Sequence, residues 1–162
     1  MTSELAQVDT AIGAFRVVVV NGALVTAGFL DQRTRARAIR DSHGVHDVLA
    51  AYFAGDIDAL DALDVAPQGT DFRQMVWKEL REVRAGETVS YGELATRVGA
   101  PGAARAVGTA NATNPVCLVI PCHRVVRAGG DIGNYGFGVD RKRWLLEHEA
   151  RPNGLFEDCS AR

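Results

Sequence analysis

The stretch SYGELATRVGAPGAARAVGTANA, residues 90–112, holds two short helical patterns separated by a compact turn. Ser90 precedes an amphipathic stretch, 91–98, and Glu93 stands three residues later, at the capping-box position. The sequence GAPG, 99–102, interrupts the pattern, and an Ala-rich second helix is predicted over 103–112. A helix, a short Gly-containing turn and a helix are typical of a helix-turn-helix, although a helical hairpin that only packs is the commoner outcome.

The second predicted helix has mostly small side chains around one long cation, Arg105. Ala103, Ala104 and Gly108 are among these small residues, and none of them can hydrogen-bond to a base through its side chain. Such a surface permits close approach to a nucleic-acid groove without direct base readout. Small residues suit a tightly packed helix equally well, so reactive residues elsewhere in the sequence have to decide between nucleic-acid binding and simple packing.

The N-terminal part of the chain predicts a small sheet with a helix. The apolar runs within 13–30 flank Asn21-Gly22, a pair that favours a tight β-hairpin turn. Helical spacing predicts a helix over 45–53. Residues 60–65 alternate apolar and acidic side chains, which predicts a further edge strand.

The sequence APQG, 66–69, breaks the chain and predicts a domain boundary, with an α/β domain over 1–66 and a mostly helical domain over 67–162. A helix capped by Thr70 or Asp71 is expected to follow, up to about Val83. Its predicted apolar face consists of Phe72, Met75, Val76, Leu80 and Val83. Farther on, the apolar run 116–120 reads as a strand. The overall fold class is therefore α/β (α+β).

Composition and charge favour an ordinary soluble globular protein. The chain has 162 residues, of which 47% are hydrophobic and 23% charged. Its three cysteines are too few for a disulfide scaffold, and no apolar run reads as a membrane span or a signal peptide. We therefore expect a reducing, intracellular and cytoplasmic location. The net charge is −2, but 71–151 carries twelve basic and nine acidic residues, a weak indication of an anionic partner.

The sequence PCHRV, 121–125, carries the clearest chemical signal. Cys122 follows a proline at the end of an apolar run and precedes His123 and a cation, a setting that lowers a thiol pKa and exposes a nucleophile. Cys117 and Cys159 are by default small buried side chains. Adjacency of Cys and His alone remains weak evidence, because neighbouring side chains need not meet.

The pentapeptide closely resembles the active-site signature of O6-alkylguanine-DNA alkyltransferases, the methylated-DNA–protein-cysteine methyltransferases. Further segments fall in the order and spacing of that family: TVSY at 88–91, AARAVG at 103–108, NP at 114–115, GNY at 133–135 and WLLEHE at 144–149. The resemblance is dense over about residues 70–150, whereas residues 1–65 match the family only in their general arrangement.

The resemblance implies a repair protein that transfers the alkyl group of O6-alkylguanine, and also of O4-alkylthymine, from duplex DNA to its own Cys122 in one irreversible turnover. His123 would act through a water as the base that keeps Cys122 a thiolate, and Glu149 would orient His123. Asn114 would tie the active-site strand to the helix-turn-helix. No cofactor is implied, and the protein is expected to act as a monomer.

The resemblance also implies roles on DNA. The target atom lies inside the base stack, so the nucleotide would be flipped out. Arg105 would fill the vacated space, with Ala103, Ala104 and Gly108 along the groove, and Tyr91 would help to displace the nucleotide. The backbone near Val125 and the loop of Tyr135, Gly136 and Phe137 would bind the guanine edge.

Three of these site residues also have a plainer interpretation. Tyr91 could be a packing residue, Arg105 a solvated cation, and Glu149 an ion-pair partner of Arg143 or Arg151.

The sequence departs from the family pattern at four points. No cysteine precedes 117, so His43 and His46 lack thiolate partners and no structural zinc is predicted. Gly136 lacks the hydroxyl found in some relatives. Phe137 stands where Gly is frequent and Cys117 where Pro is frequent, and their bulk predicts that methyl groups are accepted readily and benzyl groups poorly.

Two other classes of protein remain open. A non-enzymatic lesion binder or helix-turn-helix regulator would lack the acceptor cysteine or carry more base-reading side chains. A Cys-His hydrolase would turn over, whereas a thioether to carbon has no hydrolytic exit. Incubation with DNA that carries a radiolabelled alkyl group separates the alkyltransferase from these two classes, because only the alkyltransferase keeps the label on the protein.

Overall fold

The computed structural model describes residues 3–31 and 44–150. Its strands are β1 (Ser3–Thr10), β2 (Gly13–Val20), β3 (Ala23–Phe29), β4 (Val89–Ser90) and β5 (Val125–Val126). Its α-helices are α1 (Val45–Phe53), α2 (Asp71–Glu82), α3 (Tyr91–Arg97), α4 (Ala104–Ala112) and α5 (Val139–Ala150). Single 3-10 turns lie at Ala59–Ala62 and Cys122–Arg124. The mixed α/β class predicted from the sequence is confirmed, with a small sheet first and mostly helices after it.

The hairpin predicted around Asn21-Gly22 is confirmed. Asn21 and Gly22 have φ values of 51° and 83°, the positive angles that a type I′ turn requires at both central positions. β2 pairs antiparallel with β3 and, on its other edge, with β1. Alternate side chains of β2, namely Phe15, Val17 and Val19, are buried, so this face of the sheet contributes to the core.

The prediction of an edge strand over 60–65 is wrong. Ala59–Ala62 form a 3-10 turn, and Leu60 and Leu63 are both buried. A three-residue period places these two leucines on the same side, and their burial outweighs the apolar–acidic alternation that suggested a strand. Val65 still meets the sheet, through an isolated parallel bridge to Leu24.

Helix α2 begins where the sequence predicts, but its buried face is rotated. The Thr70 hydroxyl accepts a hydrogen bond from the Arg73 amide at 3.3 Å and caps the helix. Trp77 is buried, and its indole N–H donates to the carbonyl of Ala110 at 2.8 Å. Met75, predicted on the apolar face, is instead 50% exposed, because the indole turns the neighbouring side of the helix into the core.

The helix-turn-helix is formed by α3 and α4. Ser90 and Glu93 make the predicted capping box, with two reciprocal hydrogen bonds of 3.1 Å. The turn uses Gly99 and Gly102 at positive φ, and α4 starts at Ala104, one residue later than predicted. The two helices pack together, and a Cβ added at Gly108 would make an ordinary van der Waals contact of 3.8 Å with the ring of Tyr91.

The apolar run 116–120 is a tight turn and not the predicted strand. Leu118 has a φ of 74°, and the Ile120 amide donates to the Val116 carbonyl at 2.9 Å. A bulky residue in the left-handed region costs about 1–3 kcal/mol, a cost that the near-complete burial of these side chains offsets. The turn leads the chain from the end of α4 to Cys122.

Strands β4 and β5 form a two-residue parallel ladder. Val89 pairs with Val125, and Ser90 pairs with Val126. The residue that caps α3 is therefore joined to the segment that directly follows the Cys122–Arg124 turn. Among the described residues, no helix combines the length and the apolar character that a membrane crossing requires.

Candidate active site

A cavity of about 500 Å³ opens between the helix-turn-helix and the loop that precedes α5. Its lining includes seven of the residues predicted for the site: Tyr91, Gly108, Asn114, Cys122, Tyr135, Gly136 and Phe137. Asn111, Ala112, Cys117 and Asn134 complete the lining. The volume falls in the range of small-molecule pockets.

Cys122 lies in the wall of this cavity, and the pKa of its thiol is lowered. It is 5% exposed, and its Sγ atom lies 3.9 Å from the Sγ atom of Cys117. The hydrogen bond with Cys117 lowers the pKa of Cys122, burial opposes this, and Asn114 and the charge of Lys142 lower it further, so that the net pKa is below its usual value. The same hydrogen bond and burial raise the pKa of Cys117. The pair therefore combines a nucleophilic sulfur with a protonated neighbour.

Glu149, on α5, is the centre of a buried hydrogen-bond network. Its Oε1 atom lies 2.7 Å from Nε2 of His123 and accepts a 2.7 Å hydrogen bond from the Tyr52 hydroxyl. The Arg124 guanidinium donates to both carboxylate oxygens, at 2.9 and 3.0 Å. Burial alone would raise the pKa of Glu149, but His123 and Arg124 lower it well below its usual range. The carboxylate is thus held ionised in the protein interior.

One of the alternative partners considered for Glu149 is paired elsewhere. Arg143 lies 3.4 Å from Asp140, in an exposed ion pair, and Arg151 lies outside the described residues. The Nδ1 atom of His123 is buried without a hydrogen-bond partner among the described protein groups. Because Nε2 faces Glu149, Nδ1 is the ring nitrogen left for proton transfer.

Asn114 fixes the backbone that carries Cys122. Its amide nitrogen donates to the Ile120 carbonyl at 2.8 Å, and its amide oxygen accepts from the Val116 amide at 3.0 Å. Asn111, at the end of α4, donates to the carbonyl of Cys122 at 3.4 Å. Asn111 therefore ties the turn to the second helix of the helix-turn-helix, whereas Asn114 bonds within the turn, and the role expected for Asn114 stays a prediction.

Lys142 is a fully buried ammonium group beneath the loop. Its Nζ atom donates to the carbonyl of Val125 at 2.7 Å and to that of Asn134 at 3.2 Å. Burial lowers the pKa of Lys142, which the nearby Cys122 partly offsets. The carbonyl of Val125, a residue predicted to bind the substrate edge, is therefore engaged within the protein.

The remaining predicted contact residues lie at the outer end of α4. Arg105 is exposed, and Ala103 and Ala104 are half-buried at the start of the helix, outside the cavity. The arrangement presents a small-residue surface with one long cation beside the cavity mouth that Tyr91 and Gly108 line.

The loop before α5 supplies two aromatic rings. The Tyr135 hydroxyl is buried without a hydrogen-bond partner among the described protein groups. The Phe137 ring packs edge-on against Phe29 and Tyr135, each at 5.7 Å between ring centroids, and covers Gly28, where a Cβ would come within 2.8 Å of it. Phe137 is thus held against the sheet while it also lines the cavity, and its effect on substrate size stays a prediction.

Sequence reasoning missed Asn111, which bonds the Cys122 carbonyl, and three buried polar side chains around the site. Arg124 lies within the quoted pentapeptide, but no pattern indicated its pairing with Glu149. Lys142 lies among charged residues at the start of α5, where solvent exposure is the ordinary expectation. Tyr52 belongs to the apolar face of α1 and gave the signal of a core residue. Among the described residues, no group of three His, Cys, Asp or Glu side chains is placed to hold a metal ion, and His43 lies outside the described residues.

Comparison with known proteins agrees with this geometry. The family model for the DNA-binding domain of 6-O-methylguanine DNA methyltransferase matches residues 71–151, which contain the helix-turn-helix, Cys122 and Glu149. A methylated-DNA–protein-cysteine methyltransferase of Mycolicibacterium paratuberculosis is 40% identical over 154 residues, covering 91% of this chain and 93% of that protein. The chain therefore belongs to the 6-O-methylguanine DNA methyltransferase family.

Two further relatives extend the comparison. A methylated-DNA–protein-cysteine methyltransferase of Salmonella typhimurium is 50% identical over 106 residues, which cover 65% of this chain and 62% of that protein. This chain thus spans less than two thirds of that relative. The OGT protein of Mycobacterium tuberculosis, solved in complex with DNA, superposes with a TM-score of 0.78 at 43% identity, covering 90% of this chain and 92% of that one.

Proposed function

We propose that this protein repairs alkylated DNA by transferring the alkyl group from O6 of guanine to the sulfur of Cys122. The observation that carries the proposal is the position of Cys122: a buried sulfur with a lowered pKa, in the wall of a base-sized cavity that the helix-turn-helix borders. The names of the relatives and the DNA complex of the Mycobacterium tuberculosis protein support the same activity.

In the proposed reaction the Cys122 thiolate attacks the alkyl carbon. The sulfur–carbon bond forms as the carbon–O6 bond breaks, and guanine takes up a proton as it leaves. His123, through a water at Nδ1, accepts the proton that Cys122 must lose, and Glu149 holds the ring in the required orientation. The product is a thioether, which has no leaving group, so each protein molecule reacts once.

The substrate reaches the cavity by base flipping in this proposal. The alkyl carbon on O6 cannot reach a sulfur buried in the cavity wall while the base stays stacked in the duplex, and unstacking one base costs a few kcal/mol. Arg105, which is exposed at the start of α4, enters the vacated space in this proposal, and Tyr91 lines the cavity beside Gly108 of α4. Ala103, Ala104 and Gly108 allow the helix to approach the groove closely. O4-alkylthymine, which presents the same alkyl–oxygen bond, is the second proposed substrate.

The cavity walls then bind the flipped base. The buried Tyr135 hydroxyl, which lacks a partner among the described protein groups, and the backbone of Gly136 face the purine edge in this proposal. Val125, which was predicted to bind the same edge, is buried and is not among the residues that line the cavity. Phe137 limits the space beyond O6. We further propose that residues 1–66 form the scaffold domain and 67–162 the reactive domain, and that the protein acts as a cytoplasmic monomer.

Incubation with duplex DNA that carries radiolabelled O6-methylguanine tests the proposal. We expect label on the protein, limited to one equivalent per chain, with Cys122→Ser inactive and Cys117→Ser and Cys159→Ser still active. Tight binding without transfer would favour a lesion binder, and release of methanol over several turnovers would favour a hydrolase. Full transfer by Cys122→Ser would contradict the assignment of the acceptor.

A further inference from the structure

Two cysteine side chains meet in the wall of the cavity, and the proposed transfer uses only one of them. The Sγ atoms of Cys117 and Cys122 lie 3.9 Å apart, and both residues line the cavity. We infer that these two residues form a modification site: a hydroperoxide that enters the cavity oxidises them to an intramolecular disulfide, which a thiol reductant reverses.

The turn between the two cysteines sets their separation. Leu118, at a φ of 74°, reverses the chain, and Cys117 forms a bridge with Ile120, two residues before Cys122. A disulfide requires about 2.05 Å between the sulfurs, so each sulfur has to move by about 1 Å. Rotation of the two side chains about their Cα–Cβ bonds moves the sulfurs on this scale.

Hydrogen bonds keep the backbone in place during that movement. The Cys117 amide donates to the Ala27 carbonyl at 3.0 Å, and the Cys122 amide donates to the Ile120 carbonyl at 2.8 Å. Asn114 holds the same Ile120 carbonyl at 2.8 Å. The backbone of both cysteines is therefore held by hydrogen bonds, and the disulfide closes a ring of only six residues.

The chemistry of the two sulfurs matches the two steps of the reaction. The Cys122 thiolate attacks the outer oxygen of the hydroperoxide: an S–O bond forms, the O–O bond breaks, and the departing alkoxide or hydroxide takes the proton that the Cys122 thiol released. The Cys117 sulfur then attacks the sulfenic sulfur, the S–S bond forms, and the departing hydroxide leaves as water with the Cys117 proton. Two thiols lose two electrons, and the hydroperoxide is reduced to an alcohol, or to water, plus one further water.

The disulfide has a consequence for transfer, and this part of the inference rests on the proposed function. A Cys122 sulfur bonded to Cys117 has no free electron pair with thiolate reactivity, so alkyl transfer stops until the bond is reduced. The bond also intercepts the sulfenic acid before further oxidation, which would be irreversible. Cys117 thereby protects the acceptor sulfur during oxidative exposure.

The experiment treats the reduced full-length chain with hydrogen peroxide and then blocks the remaining thiols with iodoacetamide. Trypsin releases both cysteines in one peptide, 106–124, whereas Cys159 lies in another. We expect that peptide to lose two hydrogens in mass and to resist iodoacetamide. A peptide 106–124 with two blocked thiols, a Cys122 sulfinic acid in the wild type, or a link from Cys122 to Cys159 would overturn the inference.

Two variants sharpen the result. Cys117→Ser keeps a hydrogen-bonding side chain but removes the second sulfur, and Cys159→Ser is the matched control. Each is compared with its own untreated activity. We expect the wild type and Cys159→Ser to lose nearly all transfer and to regain it with dithiothreitol, and Cys117→Ser to lose part of it permanently as a Cys122 sulfinic acid forms in peptide 106–124. Oxidised Cys117→Ser with no more sulfinic acid than the wild type would overturn the protective role of Cys117. A chain that never transfers label would refute the proposed function alone, because the mass of peptide 106–124 still reports the disulfide.

Discussion

The hydroxyl of Tyr52, on α1, donates a 2.7 Å hydrogen bond to the carboxylate of Glu149, on α5. The backbone reinforces this connection, because Nε2 of His148 lies 2.7 Å from the carbonyl oxygen of Tyr52. Residue 52 lies before the predicted boundary at 66–69, so the N-terminal part of the chain reaches into the network that orients His123. That part therefore contributes a polar group to the site in addition to apolar packing.

Tyr52→Phe tests the energetic importance of this contact. A buried hydrogen bond to a charged group contributes about 1.5–3 kcal/mol, so we expect the free energy of unfolding in urea to fall by about that amount and label transfer to slow. Tyr135→Phe is the matched control for stability, because its buried hydroxyl has no partner among the described protein groups. Equal losses of stability in both variants would contradict the role of Tyr52.

Glu149→Gln should change how stability depends on pH. The folded-state pKa of Glu149 lies well below its unfolded value of about 4.3, so the ionised carboxylate stabilises the fold above that pH. This contribution is lost as the pH falls from about 4.3 towards the folded-state pKa. We therefore expect the variant to be less stable at pH 7 and the difference to shrink in acid, as measured by urea unfolding. Glu147→Gln, an exposed change on the same helix, should show no such convergence.

Lys142→Gln keeps a donor for the two carbonyl groups but removes the positive charge. Because that charge lowers the pKa of Cys122, we expect the pH profile of Cys122 alkylation by iodoacetamide to move to higher pH. Arg143→Gln, an exposed neighbour, is the control and should leave the profile unchanged. A profile that does not move in Lys142→Gln would show that the ammonium serves the backbone alone.

Arg105→Ala should separate DNA distortion from chemistry. A side chain that fills the gap left by a flipped base matters only in a duplex, so we expect a large loss of rate on duplex DNA and little loss with free O6-methylguanine. Arg97→Ala removes another exposed cation of the same helix-turn-helix and controls for net charge. Equal losses on duplex DNA and free base would place Arg105 in the fold or in the pocket.

Phe137→Gly addresses the size of the pocket. We expect the wild type to react readily with O6-methylguanine DNA and poorly with O6-benzylguanine, and the variant to gain reactivity towards benzyl relative to methyl. The ring also packs on Phe29, so the variant's stability is measured alongside. Ready reaction of the wild type with the benzyl base would refute the argument.

Local signals in the sequence were sufficient for the hairpin and the helix-turn-helix. Asn21-Gly22 and the Ser90–Glu93 box each act within four residues, and both appear in the structure as predicted. The turn at Leu118 could not be predicted, because a positive φ at leucine is tolerated only through burial against distant elements. Tyr52 was missed for a similar reason: its partner lies 97 residues away in the chain.

The ladder between β4 and β5 bears on whether the protein or the DNA deforms in the proposed reaction. Val89 and Ser90 pair with the segment that follows Cys122, so the start of α3 and the Cys122 sulfur are linked through this ladder. In the proposed reaction a shift of α3 and α4 therefore moves the sulfur as well, and the bending and unstacking fall on the DNA. Lesions beside flexible pyrimidine–purine steps, which cost least to distort, should consequently be repaired faster than the same lesion within a stiff A-tract.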